Sequence, residues 1–398
     1  MEKERSDIVV VGAGAVGCAI AYLLSKAGLQ VTILEKESIG SGSSAHATGL
    51  FTLLGSDFSD GSSFEMALAS HSICQEIVPV LEKETSIPIL LQKRKAIRLA
   101  LDDEEVNLIQ LMGKWQSKYL PIEWLSPNRC LAIEPRITNR IMGGMLEHDA
   151  LQLDSYRLTL ALATASELQG AKFKFRKVVG INHNNQKVTG VQLDDSEIEC
   201  DITILATGSW SNFFTDIIQF PICVHPLKGE RLVLKVNADP LPLFIGSPKG
   251  GHIISRLDGF WSIGSTGGRD NDNTTDDLDS DIDCTPSTKA KLDLLERATR
   301  VMPFLEDAQI VQQLAGSRPT TPDRKPLIGS VPNWQGLYLA TGHTARGIHL
   351  SFITARMIQN YVLGLPLDPT FDHQVFSPAR FNNPQQLISQ KDPPIFEG

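Results

Sequence analysis

The sequence IVVVGAGAVG, residues 8–17, decides the fold of this chain. Its first four residues, Ile8–Val11, are all β-branched and predict a short buried strand of the kind found in parallel sheets. A helical pattern follows over residues 18–27, and Gly28 supplies a C-cap for it. A second apolar strand is predicted over residues 31–34. The stretch and its flanks therefore predict a strand–turn–helix–strand unit, which is the opening of a Rossmann-like α/β sheet.

The three glycines of this unit predict a nucleotide site. Gly12 allows the tight turn, Gly14 lets the backbone approach a pyrophosphate, and Gly17 lets the helix lie close to the strand. The amino end of the helix offers free N–H groups and a partial positive charge to phosphates. Glu35 follows Gly17 by 18 residues, where a carboxylate can accept hydrogen bonds from a ribose diol. The spacing predicts dinucleotide binding and does not separate NAD from FAD.

Length and composition limit the remaining possibilities. The chain has 398 residues, enough for two or three compact units, and 42% of them are hydrophobic. Acidic residues outnumber basic ones, 46 to 37, and without a basic block we expect no binding to nucleic acid. The apolar region over residues 8–34 is interrupted by polar residues and glycines, so it is predicted to be neither a signal peptide nor a membrane span. We expect a soluble, cytoplasmic protein, for which oligomers are possible.

The sequence predicts no metal site. The six cysteines form no CxxC pair and have no histidine at zinc spacing, so they are expected to be reduced thiols. The segment 270–283 contains seven aspartates. It lacks the glycine and the glutamate of an EF-hand loop, and we interpret it as a solvated loop.

Further helices and strands follow from periodicity and turn residues. Helices are predicted at residues 64–84, at 103–119 and at 155–169, the last with Asp154 as its N-cap. Strands are predicted at residues 95–101, 173–181, 188–193 and 198–205, and a hairpin at 251–256 and 260–264. A later helix is predicted with Thr285 as its N-cap and Pro286 in its first turn. Its buried stripe is predicted to consist of Leu292, Leu295, Ala298 and Met302.

Three other segments can contact a ligand. The small polar segment 40–50 can lie against a large flat ligand, or it can be a flexible linker. The strand ending in Ala206-Thr207-Gly208 allows a second close backbone approach. A second strand–turn–helix unit begins with a short strand at residues 336–340, turns at Gly342 and is predicted to end at Gly364. Because this unit lies far from the first in sequence, we expect a discontinuous nucleotide domain.

Together these segments resemble the FAD-dependent D-amino-acid oxidase superfamily, on the glycine oxidase and sarcosine oxidase branch. The resemblance extends over nearly the whole chain. It includes residues 316–323 and 342–343, which an NAD dehydrogenase has no reason to carry. It implies an α/β (α+β) fold in which a Rossmann-like FAD domain is interleaved with a substrate domain on an antiparallel-rich mixed sheet. The boundaries implied are residues 1–85, 146–222 and 312–398 for the FAD-binding domain, and 86–145 and 223–311 for the substrate-binding domain.

The resemblance implies which residues contact FAD. The pyrophosphate would lie at Gly12, Gly14 and Gly17, and the ribose at Glu35. The remaining cofactor contacts would be made by Ser43, Ser44, Gly49, Val179, Gly208, Arg346, Gly347 and Ile348. For Arg346 a salt bridge is an equal alternative, and its position is shifted by one from the usual arginine of the family.

The resemblance also implies three residues on the substrate side. Arg318 matches the glycine oxidase arginine that clamps a substrate carboxylate; the alternative is a structural ion pair. His252 aligns near a pocket tyrosine of glycine oxidase and either faces the substrate or is an ordinary strand histidine. His343 either orders the turn before the last helix or lies near the flavin. No cysteine lies near Arg318, where sarcosine oxidases tether their flavin, so FAD is expected to be non-covalent.

The predicted function is oxidation of the Cα–N bond of a small amino acid or N-substituted glycine by hydride transfer to flavin N5. Oxygen or another electron acceptor would reoxidise the flavin. Two alternatives stay open at this point. A 2-hydroxy acid would require a histidine as base, and a subunit could bind FAD only for assembly. An NAD dehydrogenase is a fourth possibility, which the colour of the purified protein would separate.

Overall fold

The computed structural model describes residues 4–55, 58–267 and 282–382. The strands within them are β1 Ile8–Val11, β2 Val31–Glu35, β3 Leu50–Phe51, β4 Gln92–Ala100, β5 Ile122–Leu125, β6 Gly143–Gln152, β7 Lys172–Phe175, β8 Val178–Asn184, β9 Lys187–Leu193, β10 Glu197–Glu199, β11 Ile202–Leu205, β12 His225–Lys235, β13 Leu243–Ser247, β14 Gly251–Ser255, β15 Trp261–Gly264, β16 Gln309–Thr320, β17 Leu327–Ser330 and β18 Leu337–Thr341. The α-helices are α1 Ala15–Lys26, α2 Ser43–His46, α3 Ser62–Thr85, α4 Asp103–Gln116, α5 Pro127–Ile133, α6 Ser155–Leu168, α7 Thr215–Ile218, α8 Thr288–Val301 and α9 Gly347–Leu363.

One sheet has six strands in the order β17-β18-β11-β1-β2-β7. Its neighbouring strands are parallel except at one edge, where β17 runs antiparallel to β18. Helices α1, α6 and α9 cover one face, and the small antiparallel sheet β10-β9-β8 covers the other. The central strand β1 is therefore buried on both faces, which is why all four of its residues are apolar.

A second sheet has nine strands in the order β16-β12-β15-β14-β13-β4-β6-β3, with β5 paired to β6. Its neighbours are antiparallel except for the parallel pair of β4 and β13. On one face, Leu232 and Leu234 of β12 join a core with Leu294 and Ala298 of α8. The opposite face lines a cavity shared with the first sheet. The predicted fold, a Rossmann-like sheet with an antiparallel-rich mixed sheet, is confirmed.

Several predicted elements form with small shifts at their ends. Helix 64–84 extends to α3, and Asp154 caps α6 by accepting a hydrogen bond from Arg157 N at 2.9 Å. The predicted hairpin is β14 and β15. Gly28 and Gly364 follow their helices with φ of 89° and 65°, a left-handed conformation that glycine adopts readily. The segment 40–50 contains a short helix, α2, which its polar sequence does not predict.

Two predicted strands are each divided between two sheets. Residues 172–175 join the parallel sheet beside β2, whereas β8 begins the small antiparallel sheet. The chain changes direction at Arg176 and Lys177, which belong to neither strand. Likewise, β10 pairs with β9 and β11 pairs with β1, with Cys200 and Asp201 between them. The local strand pattern predicts one strand in each case, because a pattern within one segment does not reveal that the segment changes its partner sheet.

The predicted N-cap of α8, Thr285, is wrong by two residues. Ser287 is the N-cap, and its hydroxyl accepts a hydrogen bond from Ala290 N at 3.2 Å. The buried stripe consists of Ala290, Leu294, Ala298 and Val301. Leu292, which was predicted to be buried, is 61% exposed. The buried face is set by packing against β12, β14 and β15, and Leu292 lies about 200° around the helix from the buried Leu294.

Other predictions keep their status as expectations. The domain boundaries remain predictions. Two of them fall inside a strand, one in β6 and one in β16. No helix in the described ranges is long and apolar enough to cross a membrane. None of the six cysteines is in a disulfide. The predicted aspartate loop lies outside the described residues as far as residue 281, as do Gly268 and Arg269.

Candidate active site

A cavity of about 660 Å³ lies between the two large sheets. The carboxyl ends of β1, β2, β11 and β18 open into it, and the inner face of the nine-stranded sheet closes it on the other side. Ligands of open parallel sheets bind at such carboxyl ends. Most of the predicted site residues line this cavity: Gly12, Gly14, Glu35, Ser43, Ser44, Gly49, Gly208, His252, Arg318, His343, Arg346, Gly347 and Ile348.

The glycine turn after β1 is shaped by contacts that exclude a side chain. Gly12 has a φ of 106°, and a Cβ there would lie 2.5 Å from the Ala206 carbonyl oxygen. Gly17 does not line the cavity, but a Cβ on it would lie 2.0 Å from the Gly12 carbonyl oxygen. Helix α1 begins after Gly14 without a side-chain cap on that residue, and Ala15 N donates to Ser44 Oγ at 3.0 Å. Gly14, Ala15 and Val16 line the cavity, so the amino end of α1, which favours a pyrophosphate, faces it.

Glu35 is held at the nucleotide end of the cavity by backbone donors. Its Oε2 accepts from Ala13 N at 2.9 Å, and its Oε1 accepts from Glu37 N at 3.0 Å. The carboxylate is thus fixed at the end of β2, where a ribose can reach it. Val179 is not among the cavity-lining residues, whereas its neighbour Val178 is.

The short helix α2 connects this end of the cavity to the second sheet. The Ser43 hydroxyl donates to the Ser317 carbonyl oxygen, which belongs to β16. The Ser209 hydroxyl also donates to that oxygen, at 3.1 Å, from the turn after β11. The cavity wall is therefore assembled from three distant chain segments at this point. Gly208 and Gly49 lie on the same wall.

The turn before α9 contributes two buried basic residues. His343 Nε2 lies 2.9 Å from Thr354 Oγ1, and burial lowers the pKa of His343 to about 3. The ring is therefore neutral at ordinary pH and joins the turn to the helix. Arg346 is 8% exposed, and its guanidinium lies 4.4 Å from the centre of the Phe58 ring. Gly347 and Ile348, at the amino end of α9, line the cavity, so this helix N-terminus faces it.

Arg318 extends across the inner face of the nine-stranded sheet. It lies on β16, and its guanidinium occupies the space above Gly229 of β12, where a Cβ would be 2.3 Å from Cζ. Its Nη1 donates to the carbonyl oxygen of Thr266 at 2.7 Å, and its Nη2 donates to Ser265 Oγ at 2.9 Å. These bonds fix the plane of the guanidinium at the cavity wall.

His252 lies on the same face, on β14. Its register partner on β15 is Gly264, and a Cβ on Gly264 would lie 3.0 Å from His252 Nε2. The imidazole therefore leans across the glycine toward β12. The structure brings His252 and Arg318 to one face of one sheet, while His343 lies across the cavity in the turn after β18.

Among the polar residues of this wall that sequence reasoning did not single out are Arg231, His46 and Thr52. The Thr52 hydroxyl donates to the carboxylate of Glu147, which is 1% exposed and whose pKa is raised by burial. Arg231 carried the clearest signal, a charged residue directly before the apolar run of residues 232–234 in β12. Its position could be found only after the strand register was known.

Comparison with known proteins agrees with the geometry. The family model described as "DAO: FAD dependent oxidoreductase" matches residues 7–360. A glycine oxidase of Geobacillus kaustophilus is 29% identical over 90% of this chain and 93% of its own length. A glycine oxidase of Pseudomonas aeruginosa is 29% identical over 94% of this chain and 98% of its own length. The crystal structure of glycine oxidase from Geobacillus kaustophilus superposes with a TM-score of 0.86 at 28% identity, over 96% of this chain and all of that one.

Proposed function

Since the chain belongs to the DAO family of FAD-dependent oxidoreductases, we propose that it oxidises the Cα–N bond of a small amino acid or N-substituted glycine. It is an FAD-dependent enzyme of the glycine oxidase type. The observation that supports this substrate class is the guanidinium of Arg318, held at the cavity wall above Gly229.

The cavity fits FAD by its own geometry. Gly12 and Gly14 bring the backbone to the cavity beside the amino end of α1, where a Cβ on Gly12 would collide with the Ala206 carbonyl oxygen, and Glu35 stands at the neighbouring strand end. At the other end of the cavity, the backbone N–H groups of Gly347 and Ile348 would hold the flavin edge that gains negative charge. When bound, FAD supplies the acceptor for a hydride from the substrate. None of the described residues that line the cavity is a cysteine, which supports non-covalent binding.

In this proposal Arg318 orients the substrate. A guanidinium binds a carboxylate through two parallel hydrogen bonds and stays charged at any working pH. Its bonds to Thr266 O and Ser265 Oγ keep the fork in one orientation. A fixed carboxylate leaves Cα in one position, and correct placement of reacting atoms accounts for much of an enzymatic rate.

No residue needs to act as a base toward an amine that enters neutral. An alcohol substrate is different, because its hydroxyl proton must be removed. His343 is a poor candidate for this role, since its Nε2 is engaged with Thr354 and its pKa is far below neutrality. A 2-hydroxy acid would therefore need another lining histidine, such as His252, as its base, whereas an amino acid needs none, which favours an amino acid.

The proposal is tested by anaerobic reduction of the purified holoenzyme with a panel of amino acids, N-methylated amino acids and 2-hydroxy acids. We expect amino acids to bleach the flavin absorbance near 450 nm. Reduction by hydroxy acids alone would refute the proposal, and no reduction by any of them would indicate a structural role for FAD. Reoxidation in air, compared with reoxidation by artificial acceptors, shows whether oxygen is the acceptor.

A further inference from the structure

Arg231 is a cation of the cavity wall that the proposed oxidation does not use. It lies on β12, between Glu230 and Leu232, both of which point toward α8. Because side chains alternate along a strand, Gly229, Arg231 and Val233 share the opposite face, toward the cavity. Arg231 lines the cavity and is 8% exposed.

The guanidinium of Arg231 is bound by neutral oxygens. Its Nε donates to the carbonyl oxygen of His46 at 3.0 Å, and its Nη1 donates to Ser262 Oγ at 3.2 Å. In the described part of the chain no carboxylate lies within ion-pair distance of the Arg231 guanidinium. Asp258 acts on the pKa of Arg231 only from a greater distance, and its carboxylate is bound by Arg256. Burial, together with Arg256, lowers the pKa of Arg231 to about 10, so the group is still charged at neutral pH. Burying a charge without an opposite charge beside it costs free energy, so buried charged groups are normally paired.

The surroundings of Arg231 add to the positive charge. The guanidinium of Arg318 lies above Gly229, two residues away on the same strand, which corresponds to about 7 Å along β12. The imidazole of His252 leans across Gly264, the register partner of Arg231 on β15. The roof of the cavity therefore presents two guanidinium groups and a histidine side by side.

The described lining residues supply little negative charge in return. The two acids among them are Glu35 and Glu230. Glu35 is at the nucleotide end, bound to Ala13 N and Glu37 N. The carboxylate of Glu230 accepts hydrogen bonds from Ser287 N and Gln313 Nε2, both at 2.8 Å, on the α8 side of the sheet. Neither carboxylate neutralises Arg231, so among the described residues its charge has no opposite charge, and a ligand anion in the cavity can supply one.

We propose that Arg231 binds a second carboxylate of the substrate, so that the site selects amino acids carrying two carboxylates. This inference rests on the proposed function, in which Arg318 binds the first carboxylate. The second carboxylate can belong to the side chain or to a substituent on the nitrogen. Two guanidinium groups on one face of a sheet, with the cavity before them, match such a ligand in both charge and bidentate geometry.

The first test measures binding without turnover. Acetate and succinate are titrated into the holoenzyme, and Kd is read from the perturbation of the flavin spectrum. In the unmodified enzyme we expect succinate to bind at least about tenfold more tightly than acetate, the effect of one charge-assisted contact. In Arg231→Gln we expect the ratio to fall to about threefold or less. Arg231→Lys keeps the charge but loses the fork, so it should give an intermediate ratio.

Arg256→Gln is the matched control. It removes a positive charge that influences Arg231, yet Arg256 is bound to Asp258 and is not among the lining residues. We expect this variant to keep the preference for succinate. If it loses the preference as fully as Arg231→Gln does, general charge rather than contact is responsible, and the proposal is overturned. The acetate and succinate comparison in the unmodified enzyme needs no variant, so equal binding of the two acids overturns the proposal even if Arg231→Gln fails to fold, and Arg231→Lys then tests the contact.

The second test separates this inference from the proposed function. Anaerobic flavin reduction is compared for glycine with iminodiacetate and for D-alanine with D-aspartate. Faster reduction by the dicarboxylic member of a pair, lost in Arg231→Gln, supports both proposals. Reduction by glycine or D-alanine, with equal binding of acetate and succinate, overturns the inference and leaves the proposed function standing. Selective succinate binding through Arg231, with no reduction by any amino acid, refutes the proposed function alone.

Discussion

Replacement of Gly229 by alanine should displace the Arg318 guanidinium without removing it. The new Cβ would lie 2.3 Å from Cζ and 2.6 Å from Nη1 of Arg318. Carbon atoms in contact are about 3.5 Å apart, so the guanidinium has to move by about 1.2 Å or more. The end of a long side chain can move in this way, so we expect the fold and the FAD content to be preserved.

The size of the effect follows from the contacts that are lost. A charge-assisted hydrogen bond at 2.7–2.9 Å does not survive a movement of this size. Loss of one such bond to the substrate carboxylate costs about 1.5–3 kcal/mol, which corresponds to a decrease of about 10- to 150-fold in kcat/KM. Because a misplaced carboxylate also misplaces Cα, the rate of anaerobic flavin reduction should fall as well as substrate affinity.

The matched control is Gly316→Ala. Gly316 is the register partner of Gly229 on β16, but a Cβ there would meet only ordinary contacts, 3.6–3.8 Å from the His46 side chain. Steady-state kinetics and stopped-flow reduction of both variants give the comparison. A Gly229→Ala enzyme with native kcat/KM would show that Arg318 does not bind the substrate. A Gly229→Ala protein that loses FAD while Gly316→Ala retains it would show that Arg318 is structural.

Three further outcomes are expected. Acid or heat should release FAD into solution, and flavin that stays with the precipitated protein would contradict non-covalent binding. Glu35→Ala should retain a folded chain but bind FAD more weakly by about 1–3 kcal/mol, from lost ribose hydrogen bonds, as measured by titration of apoprotein with FAD; unchanged affinity would remove Glu35 from the site. His343 has its pKa lowered to about 3, so its contribution to stability is complete above pH 6.5 and is lost as the pH falls toward 3. Its share of the loss should reach about 2 kcal/mol at pH 5, since each pH unit below 6.5 costs about 1.4 kcal/mol. Urea unfolding at pH 7 and pH 5 should therefore show a smaller pH effect in His343→Gln than in the unmodified protein, and equal effects would contradict this assignment.

The glycine turn and its flanking strands could be predicted from the sequence because their signals are local. The β-branched run of β1, the spacing of Gly12 and Gly17 and the position of Glu35 are all set within 30 residues. Their geometry follows from close contacts, such as that of Gly17 with the Gly12 carbonyl oxygen, which only glycine allows. The resemblance then extended the expectation to the second sheet and to Arg318.

The roof of the cavity could not be predicted in the same way. Arg231, His252 and Arg318 become neighbours only through the order β16-β12-β15-β14 and the registers of those strands. A shift of one residue in β12 would turn Arg231 toward α8 instead, because side chains alternate. A sequence shows that alternation but not which strand lies beside which. Val179 illustrates the same limit at the nucleotide end, where its neighbour Val178 lines the cavity.

The strand order of the six-stranded sheet has a consequence for synthesis on the ribosome. Strand β1 pairs with β11, where Ile8 stands opposite Ile202, and β18 joins the far side of β11 from Leu337 onward. The amino-terminal glycine turn therefore emerges long before the strands that complete its sheet, and α9, which faces the same cavity, emerges later still. Contacts so distant along the chain form slowly, because long loops must close first. FAD should be captured only after nearly the whole chain has been made, and nascent chains stalled before residue 337 should not retain it.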